Sequence, residues 1–251
     1  LANVIVLDTE TTGLDKPFCY DCSWVILDTD SREILDFRAN VVEQIWHNLA
    51  LFESAYYKEK RQKYIEMMRK HEATMDKWGY IMRKLSQDIR NYNVEAVYAY
   101  NSDFDDRTIA YNCEWFKCNN PLESTPIYDI WGYASEFIIS TQAYKDFCET
   151  HSRFTDTGNY KGSAEVVYQF LTNNPDFIEE HMGLFDSEIE SAILCACIDR
   201  GGLWSTAYNV TKIIPRPVPH PFTIRVDGAD IYSGSYFKKY VRNGLYHFKT
   251  K

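Results

Sequence analysis

Three apolar runs of strand length follow one another before any helical pattern begins: Val4–Leu7, Trp24–Asp28 and Ile34–Val42. Asp28-Thr29-Asp30-Ser31, a good turn sequence, joins the second run to the third. From about Asn48 to Tyr92 the pattern turns helical, with Tyr57, Tyr64, Met68 and then Trp78, Met82, Leu85, Ile89 recurring at three and four. Val94–Tyr100 reads as a further strand, and Asn101-Ser102 starts a helix to about Asn112. A short strand at Pro126–Ile130 precedes helical patterns over Trp131–Thr150, Ser163–Leu171 and Leu184 to about Arg200, where Gly201-Gly202 ends them. Later strands alternating with helices specify an α/β domain. Three strands in a row at its start predict a mixed sheet flanked by helices.

The first run ends unusually. In VIVLDTETTGL, Val4–Leu14, two carboxylates, Asp8 and Glu10, close an apolar strand. Side chains two apart on a strand point the same way. Like charges so placed repel, and burying either one unpaired is costly. A positive charge is therefore expected between them. Two further acidic spots stand in comparable contexts: Asn101–Asp106 (NSDFDD), directly after a strand, and Glu179–Glu190 (EEHMGLFDSEIE), at the start of the last helix. In open α/β sheets, sites gather at the carboxyl ends of strands. Asp186 leads the stripe Ile189, Ile193, Ala196, which puts it at the edge of that helix's inward face. Gly183 lies between His181 and Asp186, so His181 belongs to the loop entering the helix and reaches the site from there.

Carboxylates gathered around one point call for divalent cations, and hard oxygen donors favour Mg²⁺ or Mn²⁺. Two such ions can activate a water and stabilise a leaving oxygen in phosphodiester cleavage. A histidine beside that water, with an ordinary pKa of ~6.5, suits a general base.

The order and context of these spots resemble the DEDDh exonucleases, the DnaQ-like or RNase T-like branch of the ribonuclease H-like fold. Asp8–Gly13 (DTETTG) matches D-x-E-x-T-G, and Asn101–Asp105 (NSDFD) matches N-x-x-F-D, selecting Asp105 over Asp103 and Asp106. His181–Asp186 (HMGLFD) matches H-x-A-x-x-D with Gly183 in place of the usual alanine; Phe185 and Ser187 stand where an acid and an alanine are common. The resemblance implies a metal-dependent 3′–5′ exonuclease that releases mononucleotides. Asp8, Glu10, Asp105 and Asp186 would hold two ions, and His181 would serve as base. It further implies that Thr11, Thr12 and Leu14 approach the terminal nucleotide while Asn101 and Phe104 shape its pocket; for Leu14 and Phe104, core packing is an equal alternative.

The resemblance covers about residues 4–200. The expected organisation is an exonuclease domain over 1–202, enlarged by a helical insertion over about 48–92, and an extension over 203–251. That extension carries a proline-rich stretch, Ile214–Pro221, and ends on Tyr236–Lys251 with five Lys/Arg, five aromatics and no acid. Its basic and aromatic end could guide a single strand or form a strand or hairpin packed on the body with exposed lysines. With a net charge of −9 the chain either does not bind nucleic acid or binds a short piece locally. The resemblance implies the second, since only a few terminal nucleotides at a 3′ end need binding. Single-stranded DNA ends are the expected substrate, with RNA trimming or oligoribonucleotide degradation as the close rival. A polymerase is a candidate partner; the oligomeric state stays open. A non-catalytic binding or assembly module is the alternative from another class.

Seven cysteines, an odd number, suit a reducing compartment better than a disulfide framework, so the cytoplasm is expected; a compact chain would fit a bacterial or phage-infected cell. Cys19, Cys22, Cys113 and Cys118 could together hold zinc, although Cys22 also reads as a small apolar strand residue. The first residues enter a strand at once, so no secretory signal is expected. No apolar run approaches a membrane span, so no membrane association is expected.

Overall fold

A computed structural model describes residues 3–201 of the chain. The extension from residue 203, with its proline-rich and basic–aromatic segments, lies outside the described residues. In order the elements are β1 (Asn3–Thr11), β2 (Cys19–Asp28), β3 (Ile34–Arg38), β4 (Asn40–Val42), α1 (Glu43–Trp46), α2 (Leu49–Phe52), α3 (Arg61–Arg69), β5 (Thr74–Asp76), α4 (Trp78–Asn91), β6 (Val94–Ala99), α5 (Asp103–Phe116), β7 (Ile127–Asp129), α6 (Ile130–Ala134), α7 (Gln142–Thr150), α8 (Ala164–Thr172) and α9 (Gly183–Gly201). The described residues form two compact units, 3–127 with 179–191, and 128–178 with 192–201. Among the described residues no helix is long and apolar enough to cross a membrane.

The first unit is built on a sheet in which β5, β4, β2, β1 and β6 are successive neighbours and β3 also pairs with β2. β1 runs antiparallel to β2 and parallel to β6, and β4 runs parallel to β5. The sheet is therefore mixed, as expected, with helices against it. β2 is buried along nearly its whole length, as a strand covered on both faces must be. Cys22 sits there fully buried, in the role of a small apolar residue. Cys19, Cys22, Cys113 and Cys118 are all free thiols, and among the described residues none belongs to a group of three or more close metal-ligand atoms, so they do not build a four-thiolate site in this structure.

Two expectations need correcting. The run Ile34–Val42 forms two strands, not one, because Asn40 anchors the chain at the break. Its side-chain amide donates to the Cys22 carbonyl (2.9 Å) and its N–H donates to Ser23 Oγ (3.2 Å). The segment 48–92 is not purely helical, since β5 lies inside it and extends the sheet. Around it the periodicity holds: α4 buries Trp78, Ile81, Met82 and Leu85. The same helix buries Asp88, which accepts from the Trp24 indole N–H (3.0 Å) and from Arg38 Nη2 (3.1 Å), tying α4 to β2 and β3.

The start of that segment is fastened by aromatic edges. Tyr20 of β2 meets Phe52 and Tyr64, and Trp46 meets the same two rings, with centroids 5.1–6.1 Å apart. The Arg61 guanidinium lies 4.3 Å from the Trp46 centroid and 4.8 Å from that of Phe52.

The second unit holds α6–α8. The helical stretch expected over Trp131–Thr150 is interrupted by a wide turn at Ser135–Ile139 and restarted at Thr141, whose hydroxyl accepts the Tyr144 N–H (3.3 Å). Buried Gln169 accepts from Arg153 Nε (3.0 Å) and donates to the Phe177 carbonyl (2.7 Å), closing the loop after α8.

Candidate active site

The site begins where β1 outruns its neighbour. β6 pairs with β1 only from Asn3 to Val6. β1 itself continues to Thr11, so Asp8 and Glu10 lie within the strand, opposite Ser23 and Asp21 of β2. Beyond Val6 the other backbone edge of β1 needs partners that are not strand. Asp105, in the first turn of α5, supplies one: its Oδ1 accepts both the N–H (3.0 Å) and the hydroxyl (2.7 Å) of Thr9. Glu190 does the same for β6, accepting the Tyr100 N–H at 3.1 Å. Side-chain carboxylates thus cap the carboxyl ends of both strands.

The third segment arrives from α9. His181 stands in the loop before that helix, as expected, with φ of 51°. Asp186 is buried in its first turn. Ser187 is fully buried, donating to the Gly183 carbonyl (2.6 Å), which explains a small side chain there, whereas Phe185 points outward at 38% exposure. Ligand atoms of Glu10, His181 and Asp186 all lie within 4.8 Å of one another. Asp8 and Asp105 sit close enough to act on this group electrostatically.

The charges are mutually unfavourable. Burial first, then Asp186, Glu190, Asp105 and Glu10, hold the Asp8 carboxyl well above its usual range. Burial, Asp186 and Asp21 push Glu10 up to about 9. Burial, Glu179 and Asp21 push Asp186 up to about 9, although the backbone N–H groups of Met182 and His181 act in the other direction. Glu190 is raised by burial and by Asp105. Asp8 Oδ2 and Asp186 Oδ1 are buried with no hydrogen-bond partner. Oxygen-rich, anionic and partly orphaned, the donor set fits a hard divalent cation such as Mg²⁺ or Mn²⁺.

Three acids here escaped the sequence reading as site members. Asp21 is directly opposite Glu10 and fully engaged: Oδ1 accepts from the Ser23 hydroxyl, and Oδ2 accepts from Tyr64 OH (2.6 Å) and Gly183 N–H (2.9 Å). An Asp near the start of the mostly apolar run Tyr20–Leu27 was its available signal. Glu190, one helical turn after Asp186, was marked by that spacing. Glu179 Oε2 lies 3.8 Å from His181 Nδ1.

The residues expected at the nucleotide are placed variously. Thr11 donates its hydroxyl to the Gly13 carbonyl (3.1 Å), and Thr12 is buried with its N–H on the Phe18 carbonyl (2.9 Å). Leu14 is 78% exposed, so core packing does not explain it. Asn101 is exposed at φ 63°, and Phe104 is half-buried with its N–H on the Asn101 carbonyl (2.9 Å).

No protein-family model and no curated protein matches this chain. Among solved structures it is similar to E. coli exonuclease I in complex with a dA16 oligonucleotide (TM-score 0.49, 13% identity, 80% of this chain and 42% of that one). It is also similar to the nuclease domain of 3′hExo, a DEDDh family member bound to rAMP (0.46, 13%, 80% and 93%). A third is exonuclease X in complex with 5′ overhanging duplex DNA (0.42, 15%, 80% and 93%). The chain spans less than half the length of exonuclease I.

Proposed function

We propose that this protein is a metal-dependent 3′–5′ exonuclease that hydrolyses the terminal phosphodiester of single-stranded DNA and releases nucleoside monophosphates. The observation that carries this reading is the meeting of three distant segments, around Glu10, Asp105 and Asp186, at two strand ends, with buried orphan oxygens on Asp8 and Asp186. Asp8, Glu10, Asp105 and Asp186 would hold two Mg²⁺ or Mn²⁺ ions. Bound there, the ions would polarise the scissile phosphate and favour ionisation of the attacking water.

The chain's own groups account for the remaining steps. Asp105 fixes the end of β1 through Thr9, so the Asp8 and Glu10 carboxylates keep their direction. His181, within 4.8 Å of the Glu10 and Asp186 oxygens, takes the proton from the water as general base. Glu179, 3.8 Å from its Nδ1, stabilises the imidazolium that results. Leu14, exposed beside Thr11, and Asn101 with Phe104 at the mouth of α5 would meet the terminal nucleotide. A small terminal site agrees with the net charge of −9.

Digestion of 5′-labelled and 3′-labelled DNA and RNA oligonucleotides in Mg²⁺ tests the reading. The expected result is stepwise shortening from the 3′ end, mononucleotide products, faster loss of DNA than RNA, and no release by His181→Ala. Faster loss of RNA would transfer the activity to the ribonucleotide class. Absence of release from either polymer would end the nuclease reading in favour of a binding module.

A further inference from the structure

The segment 57–64, inside the insertion that the catalytic reading leaves without a role, reaches the loop carrying His181 at three successive points, two of them direct and one through Asp21. The Tyr57 ring stacks on the His181 imidazole, with centroids 4.3 Å apart and planes 13° from parallel. Lys63 and Lys60 pair with Glu180, the latter at 3.8 Å. Tyr64 OH donates to Asp21 Oδ2 (2.6 Å), the oxygen that also accepts the Gly183 N–H (2.9 Å). Residues 180, 181 and 183 are thus each held, directly or through Asp21, from one short piece of chain.

That piece is itself anchored. Tyr64 is buried against Tyr20 and Trp46, and Arg61 covers the Trp46 and Phe52 rings. The held loop, by contrast, is strained: His181 has a left-handed backbone, φ 51°, unfavourable for a residue with a side chain. Such a conformation persists only where its surroundings over-determine it. A histidine on a loop also has two rotatable side-chain bonds, and a base must hold its geometry closely to be effective.

From this arrangement we infer that segment 57–64 is a brace for the base-bearing loop and that Tyr57 is a positioning residue, its ring fixing the plane of the His181 imidazole. The inference rests on the proposed hydrolytic role of His181. It gives the insertion a function inside the site: the ring of Tyr57 serves, and its hydroxyl does not.

Two measurements on the full chain test this, with Tyr57→Ala and Tyr57→Phe beside wild type. In proton NMR the His181 ring signals, identified by their loss in His181→Asn, carry an upfield ring-current shift. That shift is expected in wild type and Tyr57→Phe and lost in Tyr57→Ala. In 3′-end release, Tyr57→Ala is expected to lower kcat about ten- to a hundred-fold with KM changed less than about two-fold, and Tyr57→Phe to restore kcat. An unmoved ring signal, an unchanged kcat, or Tyr57→Phe falling as far as Tyr57→Ala would each overturn the inference. Should wild type release no mononucleotide, the exonuclease reading fails, and the ring signal alone then decides the brace.

Discussion

The carboxylate of Asp21 fills the space in which a side chain at residue 183 would begin. A Cβ on Gly183 would lie 2.9 Å from Asp21 Oδ1 and 3.0 Å from its Cγ. Asp21 cannot swing aside cheaply, because Ser23, Tyr64 and the Gly183 N–H hold both of its oxygens. This explains glycine where the resembling motif has alanine. Gly183→Ala should cost about 1–3 kcal/mol by overpacking. Combined with Asp21→Ala it should cost less than the sum of the two single changes, since the clash is then gone. Urea denaturation of the four proteins checks both statements.

Glu190 makes one hydrogen bond that an amide could also accept, from the Tyr100 N–H, while its charge is opposed by Asp105 and Asp186. Glu190→Gln should therefore stabilise the metal-free protein near neutral pH by about 1 kcal/mol, a rise in Tm of roughly 2–4 °C. In Mn²⁺ titrations it should bind the ion more weakly. A lower metal-free Tm would show that the charge is compensated.

The raised acids also set a pH dependence. Glu10 and Asp186 stand at about 9 in the folded protein against ordinary values of 4.5 and 3.8. Below the ordinary values, folded and unfolded chains both hold these protons and the full contribution to stability is present. Between there and about 9 the folded chain holds more protons than the unfolded one, so stability falls as pH rises. In chelator, Tm should be lower at pH about 8.5 than at about 6. Millimolar Mg²⁺ should raise Tm more at the higher pH, because the cation binds the deprotonated carboxylates.

Away from the site, Asp88 accepts from Trp24 and Arg38. Asp88→Ala strands the buried indole N–H and should cost about 1–3 kcal/mol. Release per folded molecule should stay at the wild-type rate, which separates scaffold from site. Thermal denaturation with activity at reduced temperature reads both quantities.

Much of this was readable in the sequence because the signals were local. Alternating strand and helix runs predicted the α/β domain, three strands in a row at its start predicted the mixed sheet, and Gly183 placed His181 on the entering loop. The two failures have a common physical origin. Asn40 breaks a run that composition alone would continue, through bonds to Cys22 and Ser23 that only the pairing reveals. β5 is three residues long, too short for periodicity to register, and is a strand because β4 lies beside it. Asp21 was hidden for the same reason. Its partners, Tyr64 and Gly183, are 43 and 162 residues away along the chain.

The central claim is that carboxylates from three distant segments form one cation site which His181 serves. Counting bound Mn²⁺ by electron paramagnetic resonance, in wild type and in Asp8→Asn and Asp186→Asn, tests it most directly. Two ions are expected in wild type, with at least one lost in each variant together with mononucleotide release from a 3′ end. Wild-type protein that binds no Mn²⁺ at millimolar concentration, or variants that bind and release as wild type does, would contradict it.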